Sequence, residues 1–324
     1  IDPGPQDKFF KETACPSGDA ANIMVIYDNL ESISQPLHHP VITIGNFDGV
    51  HLGHQTLFAK VKERSAAVGG QAVVITFDPH PIKLMRPDKQ LPLLTTTAQK
   101  VKLLSALGVD VIIVHPFTPE FGALPARDFV KQYLVERLGA REVVIGHDYR
   151  FGRNREGNIS YLQTLGAEFG FPVHVVDAIQ IHNTVVSSTL IRTLIQNGQV
   201  GEAQGFLGRA YEVTGQVIHG HGRGARLLGF PTANISLDNS LLLPAAGIYA
   251  VRAELQGCSH PAVANVGTCP TFNNQELSLE VYLMDFDRDI YGEPLAVQFV
   301  QKLRDEQRFA DIPALIRQIQ QDVA

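Results

Sequence analysis

Cysteine is scarce, long apolar runs are missing, and positive charge is in the minority. The three cysteines, Cys15, Cys258 and Cys269, are odd in number, far apart and form no Cys-x-x-Cys pair. That pattern argues against a disulfide framework or a cysteine zinc site and points to reduced thiols in a cytoplasm. No strongly apolar run, Val109 to Val114 with its Asp110 included, is long enough to cross a bilayer. Lys and Arg total 27 against 33 Asp and Glu, a net charge of −6, which leaves no basic face for a nucleic-acid backbone but still allows a local basic pocket. Before Met24 the chain carries scattered charges, Pro and Gly with no apolar core segment, so it does not read as a signal peptide. Residues 1–23 are expected to be an extension, foreign to the natural chain or disordered.

What is present describes an ordinary globular protein, with 44% apolar and 19% charged residues. A chain of 324 residues exceeds what one core usually holds, so two domains are expected. From Val41 to about Asp177, short β-branched runs at 41–45, 72–77, 109–115, 142–146 and 172–177 alternate with amphipathic stretches at 54–67, 97–107, 126–138 and 159–169. Nearly continuous apolar strands between helices predict a doubly wound parallel sheet, Rossmann-like, with ligands beyond the strand carboxyl ends. Glycines at 198, 201, 205 and 208 place a linker at 199–208, between an α/β domain at 24–198 and a second domain at 209–324. There, strands at 211–218, 247–255, 261–266, 277–285 and 294–301 follow one another without helices, then a helix closes the chain at about 312–320. The expectation is a small antiparallel β-barrel with a terminal helix.

The organising stretch is Val41-Ile42-Thr43-Ile44-Gly45-Asn46-Phe47-Asp48-Gly49-Val50-His51-Leu52-Gly53-His54. It runs a strand into a glycine-rich turn and then into a helix whose first N–H groups and positive dipole end suit an anion. Gly49 and Gly53 lack side chains that would hold phosphate oxygens off the backbone. His51 and His54, three apart, reach the same side of a helical turn, where they can donate to oxygens that gain charge in an in-line displacement. The structural alternative is a pair of capping histidines, which would win for an isolated His-x-Gly-His. A metal pair is disfavoured because no third ligand sits at metal-like spacing nearby.

Three further segments carry candidate chemistry. Thr76-Phe77-Asp78-Pro79-His80-Pro81 has two prolines that fix a rigid, non-helical exit around His80, though a surface turn explains it as well. Gly146-His147-Asp148-Tyr149-Arg150-Phe151-Gly152 mixes a carboxylate, a fixed cation and two aromatics suited to a ring and its phosphate. Ser187-Ser188-Thr189-Leu190-Ile191-Arg192 starts a helix with capping hydroxyls, and Ser188, Thr189 and Arg192 form a candidate second phosphate clamp.

In the second domain, Gly220-His221-Gly222-Arg223-Gly224 leads to Gly229-Phe230-Pro231-Thr232-Ala233-Asn234. Thr232 and Asn234 offer the hard oxygens that a magnesium ion bridging nucleotide phosphates takes, although a Ser/Thr or Asx turn explains the pair alone. In Leu277 to Leu283, Leu279, Val281 and Leu283 share one face and Ser278, Glu280 and Tyr282 the other. Glu280 is either solvent-facing or a base for an attacking hydroxyl.

Gly45-Asn46-Phe47-Asp48-Gly49-Val50-His51-Leu52-Gly53-His54 resembles the adenylyltransferase half of bacterial bifunctional riboflavin kinase/FAD synthetases, within the His-x-Gly-His nucleotidyltransferases. Thr232 to Asn234, Asn265-Val266-Gly267-Thr268-Cys269-Pro270-Thr271-Phe272, and Arg304, Glu306 and Phe309 resemble the riboflavin kinase half, where arginine is common in place of Cys269. The resemblance spans about Met24 to Asp322. It implies ATP and FMN binding at Gly45, Asn46, Phe47, Asp48, Gly53, His80, Asp148, Arg150, Ser188, Thr189 and Arg192, with His51 and His54 catalytic. Asp148 stands where some relatives have asparagine. It also implies nucleotide and flavin binding at Gly222, Arg223, Gly224, Pro231, Thr232, Asn234 and Arg304, Mg²⁺ on Thr232 and Asn234, and Glu280 as base.

The activity so implied is phosphorylation of riboflavin to FMN, then adenylylation of FMN to FAD, each with ATP. The expected partners are small molecules, with no nucleic acid and no membrane, for a cytoplasmic monomer or loosely self-associating chain. One competing reading keeps the first domain as a nucleotidyltransferase for another phosphorylated substrate, with a barrel that only binds flavin. A flavin-sensing regulator is the other, against which the absence of an evident helix-turn-helix or basic patch counts.

Overall fold

The computed structural model describes residues 24–86, 88, 91–219, 232–271, 274–307, 318, 321 and 322, with backbone alone from 268 to 276. Two compact units form, one from the chain up to residue 90 plus 97–179, the other from 91–96 plus 180 onward.

In the first unit the order is β1 (Val25–Tyr27), β2 (Val41–Ile44), α1 (Leu52–Ala67), β3 (Ala72–Asp78), α2 (Pro81–Met85), α3 (Thr97–Ala106), β4 (Val111–Pro116), α4 (Pro119–Gly122), α5 (Ala126–Phe129), β5 (Glu142–Gly146), α6 (Ile159–Phe169) and β6 (Val173–Val176). The predicted helix at 126–138 is real but changes character, since α5 continues as a wider π-helical turn over Val130–Arg137. All six strands are parallel, in the order β1-β4-β3-β2-β5-β6.

Why this sheet forms is visible in which layer each residue enters. Ile42, Ile44, Val73, Ile75, Val143 and Ile145 pack with Phe129, Leu134 and Leu162 on one face. Their neighbours Val41, Val74, Ile112 and Val144 pack with Leu57, Phe58, Val61 and Leu104 on the other. Strands buried on both faces must read as continuous apolar runs, and these do. The Val41 strand is second in sequence: β1 precedes it and pairs with β4 at the sheet edge. Strand order reverses between β2 and β5, so the turns after them open at the crevice where such sheets take ligands.

The second unit begins with a small hairpin, β7 (Gln180–Ile181) and β8 (Thr184–Val185), then α7 (Ser188–Gln196) and α8 (Val200–Leu207). The stretch 199–208, expected as a linker, is largely that last helix. Val200, Ala203 and Leu207 recur at helical spacing and are buried, and Gly208 ends it in the left-handed conformation. The barrel follows: β9 (Tyr211–Ile218), β10 (Ala233–Ser236), β11 (Gly247–Leu255), β12 (Cys258–Thr271), β13 (Asn274–Leu283) and β14 (Pro294–Arg304), closed in the antiparallel order β10-β13-β12-β11-β14-β9.

Its interior is filled by alternate residues such as Val213, Ile235, Val251, Ala264, Leu279, Val281 and Phe299. Strand β12 runs well beyond the 261–266 expected from its prolines, because a strand tolerates Pro where the ladder needs no N–H. Strand β10, inside the Pro-Thr-Ala-Asn segment, was not expected. The terminal helix predicted at about 312–320, the glycine cluster at 220–224 with Gly222, Arg223 and Gly224, and Pro231 and Phe309 lie outside the described residues. No helix among the described residues is long and apolar enough to cross a membrane.

Candidate functional site

The turn after β2 is held in an unusual backbone path. Gly45 donates its N–H to Ile75 O at 3.0 Å, and a Cβ there would lie 2.7 Å from the Phe47 ring, so only glycine lets Phe47 fold back. Phe47 and Val50 take positive φ of 49° and 43°, on either side of Gly49 at 82°. Non-glycine residues accept that cost only where the surroundings fix it, and such sites cluster at function. Here the fixing element is Phe47, 4% exposed, packed edge-on against His54 at 5.3 Å and Phe58 at 4.9 Å between ring centroids.

His51 is the N-cap of α1, its Nδ1 accepting from the His54 N–H at 3.3 Å. A neutral His51 in that role carries its proton on Nε2. The two rings stack, centroids 3.6 Å apart and planes 16° from parallel. Both histidines therefore reach the same side, as their spacing requires. Faces that close leave no room for an oxygen between them.

His54 Nδ1 is buried with no hydrogen-bond partner among the described residues. Burial first, then His51 and the Lys100 ammonium, hold His54 well below the usual imidazole range. It is neutral at pH 7. Asp48 is 3% exposed in the same turn, and Lys100 of α3 is 4% exposed. Lys100 Nζ donates to Thr76 Oγ1 at 3.2 Å, and Thr76 Oγ1 to the Asn46 carbonyl at 3.2 Å. Sequence reasoning missed Lys100. Its signal was helical phase: Lys100 stands one turn before the buried Leu104.

The other segments of this unit are placed differently from expectation. Pro79 follows a cis peptide and His80 caps α2 through Nδ1, accepting from Ile82 N–H at 3.2 Å. The exit is thus helical at once, because Pro81 at the first helical position already has helical φ. Asp148 and Arg150 are exposed, while Tyr149 and Phe151 stack at 5.4 Å with burial pushing the Tyr149 hydroxyl up. At the carboxyl end of β4, a cavity of about 520 Å³ is lined by His115, Thr118, Phe121, Leu124 and Tyr133, with Glu31. Phe121 lies at the centre of ring contacts with Phe77, Phe117, Phe129 and Tyr133.

In the second unit, Ser187 caps α7 by accepting from Leu190 N–H at 3.2 Å, so Ser188 and Thr189 open the first turn. Arg192 Nε donates to the Pro92 carbonyl at 2.9 Å, which ties α7 to the 91–96 segment.

On the barrel, Glu280 of β13 stands between Asn234 of β10 and Asn265 of β12 in cross-strand register. All three are half-buried on the outer face, opposite buried Leu279 and Val281. Asn265 Oδ1 is buried without a partner among the described residues. Glu306 joins this patch: a Cβ on Gly267 would lie 2.7 Å from its Oε1 and 3.4 Å from Asn265 Nδ2. Thr232 borders a hollow of about 340 Å³ with Ala233, Phe286, Arg288 and Tyr291. Thr232 and Asn234 offer hard oxygens, which suit a magnesium ion better than a softer metal. Arg304 is engaged elsewhere, clamped to Asp322 with Nη2 to Oδ2 at 2.6 Å and Nε to Oδ1 at 2.9 Å. An arginine so paired anchors the strand end, and its guanidinium fork is filled.

Residues 33–190 match the FAD synthetase family, and residues 207–324 match the riboflavin kinase family. The chain is 40% identical to the bifunctional riboflavin kinase/FMN adenylyltransferase of Listeria monocytogenes serovar 1/2a, covering 88% of this chain and 94% of that one. It is 38% identical to the protein of that name from Pseudomonas fluorescens, over 88% and 91%, and 36% identical to that of Escherichia coli strain K12, over 92% and 96%. A crystal structure described as a macrolide-efflux protein from Streptococcus pneumoniae superposes with a TM-score of 0.83 at 31% identity, covering 93% of this chain and 97% of that one. With both units matched in order, and with relatives aligned along nearly their whole length, the chain belongs to the bifunctional riboflavin kinase/FMN adenylyltransferase family.

Proposed function

We propose that this protein makes FAD from riboflavin in two ATP-dependent steps, one in each compact unit. In the first unit an FMN phosphate oxygen attacks the α-phosphorus of ATP, the α–β bridging bond breaks, and pyrophosphate leaves. The nucleophile is already anionic, so the step needs charge stabilisation and alignment rather than a strong base. The stacked edges of His51 and His54, at the N-terminus of α1, supply donors to the phosphoryl oxygens, and Gly45 to Gly53 let the backbone come close. The aromatic cavity at the end of β4 suits a flavin ring. His80, Asp148 and Arg150 of this unit remain candidates for the nucleotide and FMN; Ser188, Thr189 and Arg192, implied by the resemblance for the same ligands, belong to the second compact unit.

In the barrel the riboflavin 5′-hydroxyl attacks the γ-phosphorus of ATP. Glu280 takes the proton from that hydroxyl as the new P–O bond forms and ADP leaves. Thr232 and Asn234 would hold Mg²⁺, which supplies neutralisation of the phosphate charge. Gly222, Arg223, Gly224 and Pro231 complete the proposed nucleotide and flavin contacts. The partners are small molecules, for a cytoplasmic monomer or loosely self-associating chain.

The observation that carries this reading is the stack of buried His51 on half-buried His54, on a strained glycine-rich turn at the switch point of the sheet. The test is direct: purified protein with riboflavin, Mg²⁺ and ATP, flavins separated by chromatography over time, should show FMN and then FAD. Riboflavin left unchanged, or FMN that never becomes FAD, would refute it.

A further inference from the structure

A buried lysine is a costly way to fill space, because removing an ammonium from water costs several kcal/mol unless partners compensate. Lys100 is such a residue, and it is linked to the adenylyl-transfer turn without belonging to it. From α3 its ammonium reaches Thr76 at the end of β3, and Thr76 reaches the Asn46 carbonyl in the turn after β2, each step 3.2 Å. The charged and titratable groups around it are Asp48 in that turn, Asp78 at the end of β3, and His54 at the start of α1. Methionine or leucine would pack there at lower cost, so the position calls for charge.

We propose that Lys100 is a positioning residue for adenylyl transfer: through Thr76 it pins the turn that carries Asp48, His51 and His54 against the end of β3, and it sets a buried positive charge beside His54. The inference rests on the assignment of that turn to nucleotide chemistry. Two effects follow from one side chain. The tether holds the turn in register with the end of β3, so the histidine edges meet the phosphoryl oxygens in one geometry. The charge adds to the pull on an anionic triphosphate and adds to burial and His51 in holding His54 a neutral imidazole, which needs to lose no proton when substrate arrives.

The experiment compares Lys100→Gln, Thr76→Val and the double variant with the parent chain, measuring FAD formation from FMN and FMN formation from riboflavin. Lys100→Gln should lower kcat for FAD formation between about 10- and 100-fold, the range that small misplacements of reacting groups produce, with KM for FMN nearly unchanged. FMN formation stays at the parent rate. The acid limb of the FAD-formation profile moves to higher pH, since losing the positive charge lets His54 take its proton more easily. Thr76→Val acts in the same direction, and the double variant is no slower than Lys100→Gln alone, because both break one chain. NMR titration of His54 in the intact protein reads the charge effect independently of turnover, and should move upward in Lys100→Gln. A Lys100→Gln protein that forms FAD at the parent rate with an unmoved acid limb, while His54→Ala does not, overturns the proposal. A parent chain that forms no FAD fails the functional reading instead, and the NMR titration then decides Lys100 by itself, an unmoved His54 overturning it.

Discussion

The two units handle phosphate with opposite constructions. In the sheet unit the histidine turn occupies ten consecutive residues, 45–54, buried or half-buried and locked by a turn that bends back on itself. In the barrel the groups are far apart in sequence, and strand register alone brings Asn234, Glu280 and Asn265 side by side on an outer face. The first is a site made by local backbone conformation. The second is made by pairing, so it exists only once the barrel has closed.

That contrast can be broken most forcefully at Glu280. Glu280→Gln keeps the shape and removes the base, so FMN formation should fall about 10²- to 10⁴-fold while FAD formation from supplied FMN stays intact. Steady-state rates with each flavin measure both, and a parent-like kinase rate would eliminate Glu280 as base. Next in size, His51→Ala or His54→Ala should lower FAD formation about 10²-fold or more per donor lost, with FMN formation continuing. Equal loss of both activities in either variant would dissolve the division of labour.

Smaller effects separate folding from chemistry. Glu142, buried at the start of β5, accepts two hydrogen bonds from Arg64, each 2.8 Å, and lies 2.8 Å from His174 Nε2. The Arg64 guanidinium, with His174, holds its carboxyl below the usual carboxylate range. A depressed folded value gives stability that is present above the unfolded value and lost as pH falls through the folded one. Glu142→Gln should therefore destabilise by about 1–3 kcal/mol at pH 7, with Arg64 only partly buried, and the gap from the parent should close as pH is lowered below about 4. Denaturant midpoints across pH check this; a gap that widens in acid would contradict it. Smallest, Arg304→Gln and Asp322→Asn should cost similar stability, about 1 kcal/mol, and leave KM for riboflavin near the parent value. A large rise in KM from Arg304→Gln alone would return that arginine to the ligand.

The same contrast explains what could be read in advance. Strand, turn and helix from Val41 to Ala67 are legible because continuous apolar burial, glycine and the histidine pair lie in one window. The alternation along β13 likewise separates Glu280 from Leu279 and Val281. Lys100 was not legible, since a lysine in a helix reads as solvated until β3 and its Thr76 are in place. Asn265 carries no signal of its own within its motif, and only strand register sets it next to Glu280 across the ladder. The span expected as a linker misled because Gly201 and Gly205 look like breaks, yet both sit on the exposed side of α8 while Val200, Ala203 and Leu207 bury. Edge strand β1 has three half-buried residues, too few to show a period.

The central claim is that two separate sites act in series, and mixing the two disabled chains tests it most directly. Glu280→Gln alone should leave riboflavin untouched, and His54→Ala alone should stop at FMN. Together, with riboflavin, Mg²⁺ and ATP, they should accumulate FAD after FMN appears. Conversion of riboflavin to FAD by Glu280→Gln alone, or a mixture that makes FMN but never FAD, would contradict the account.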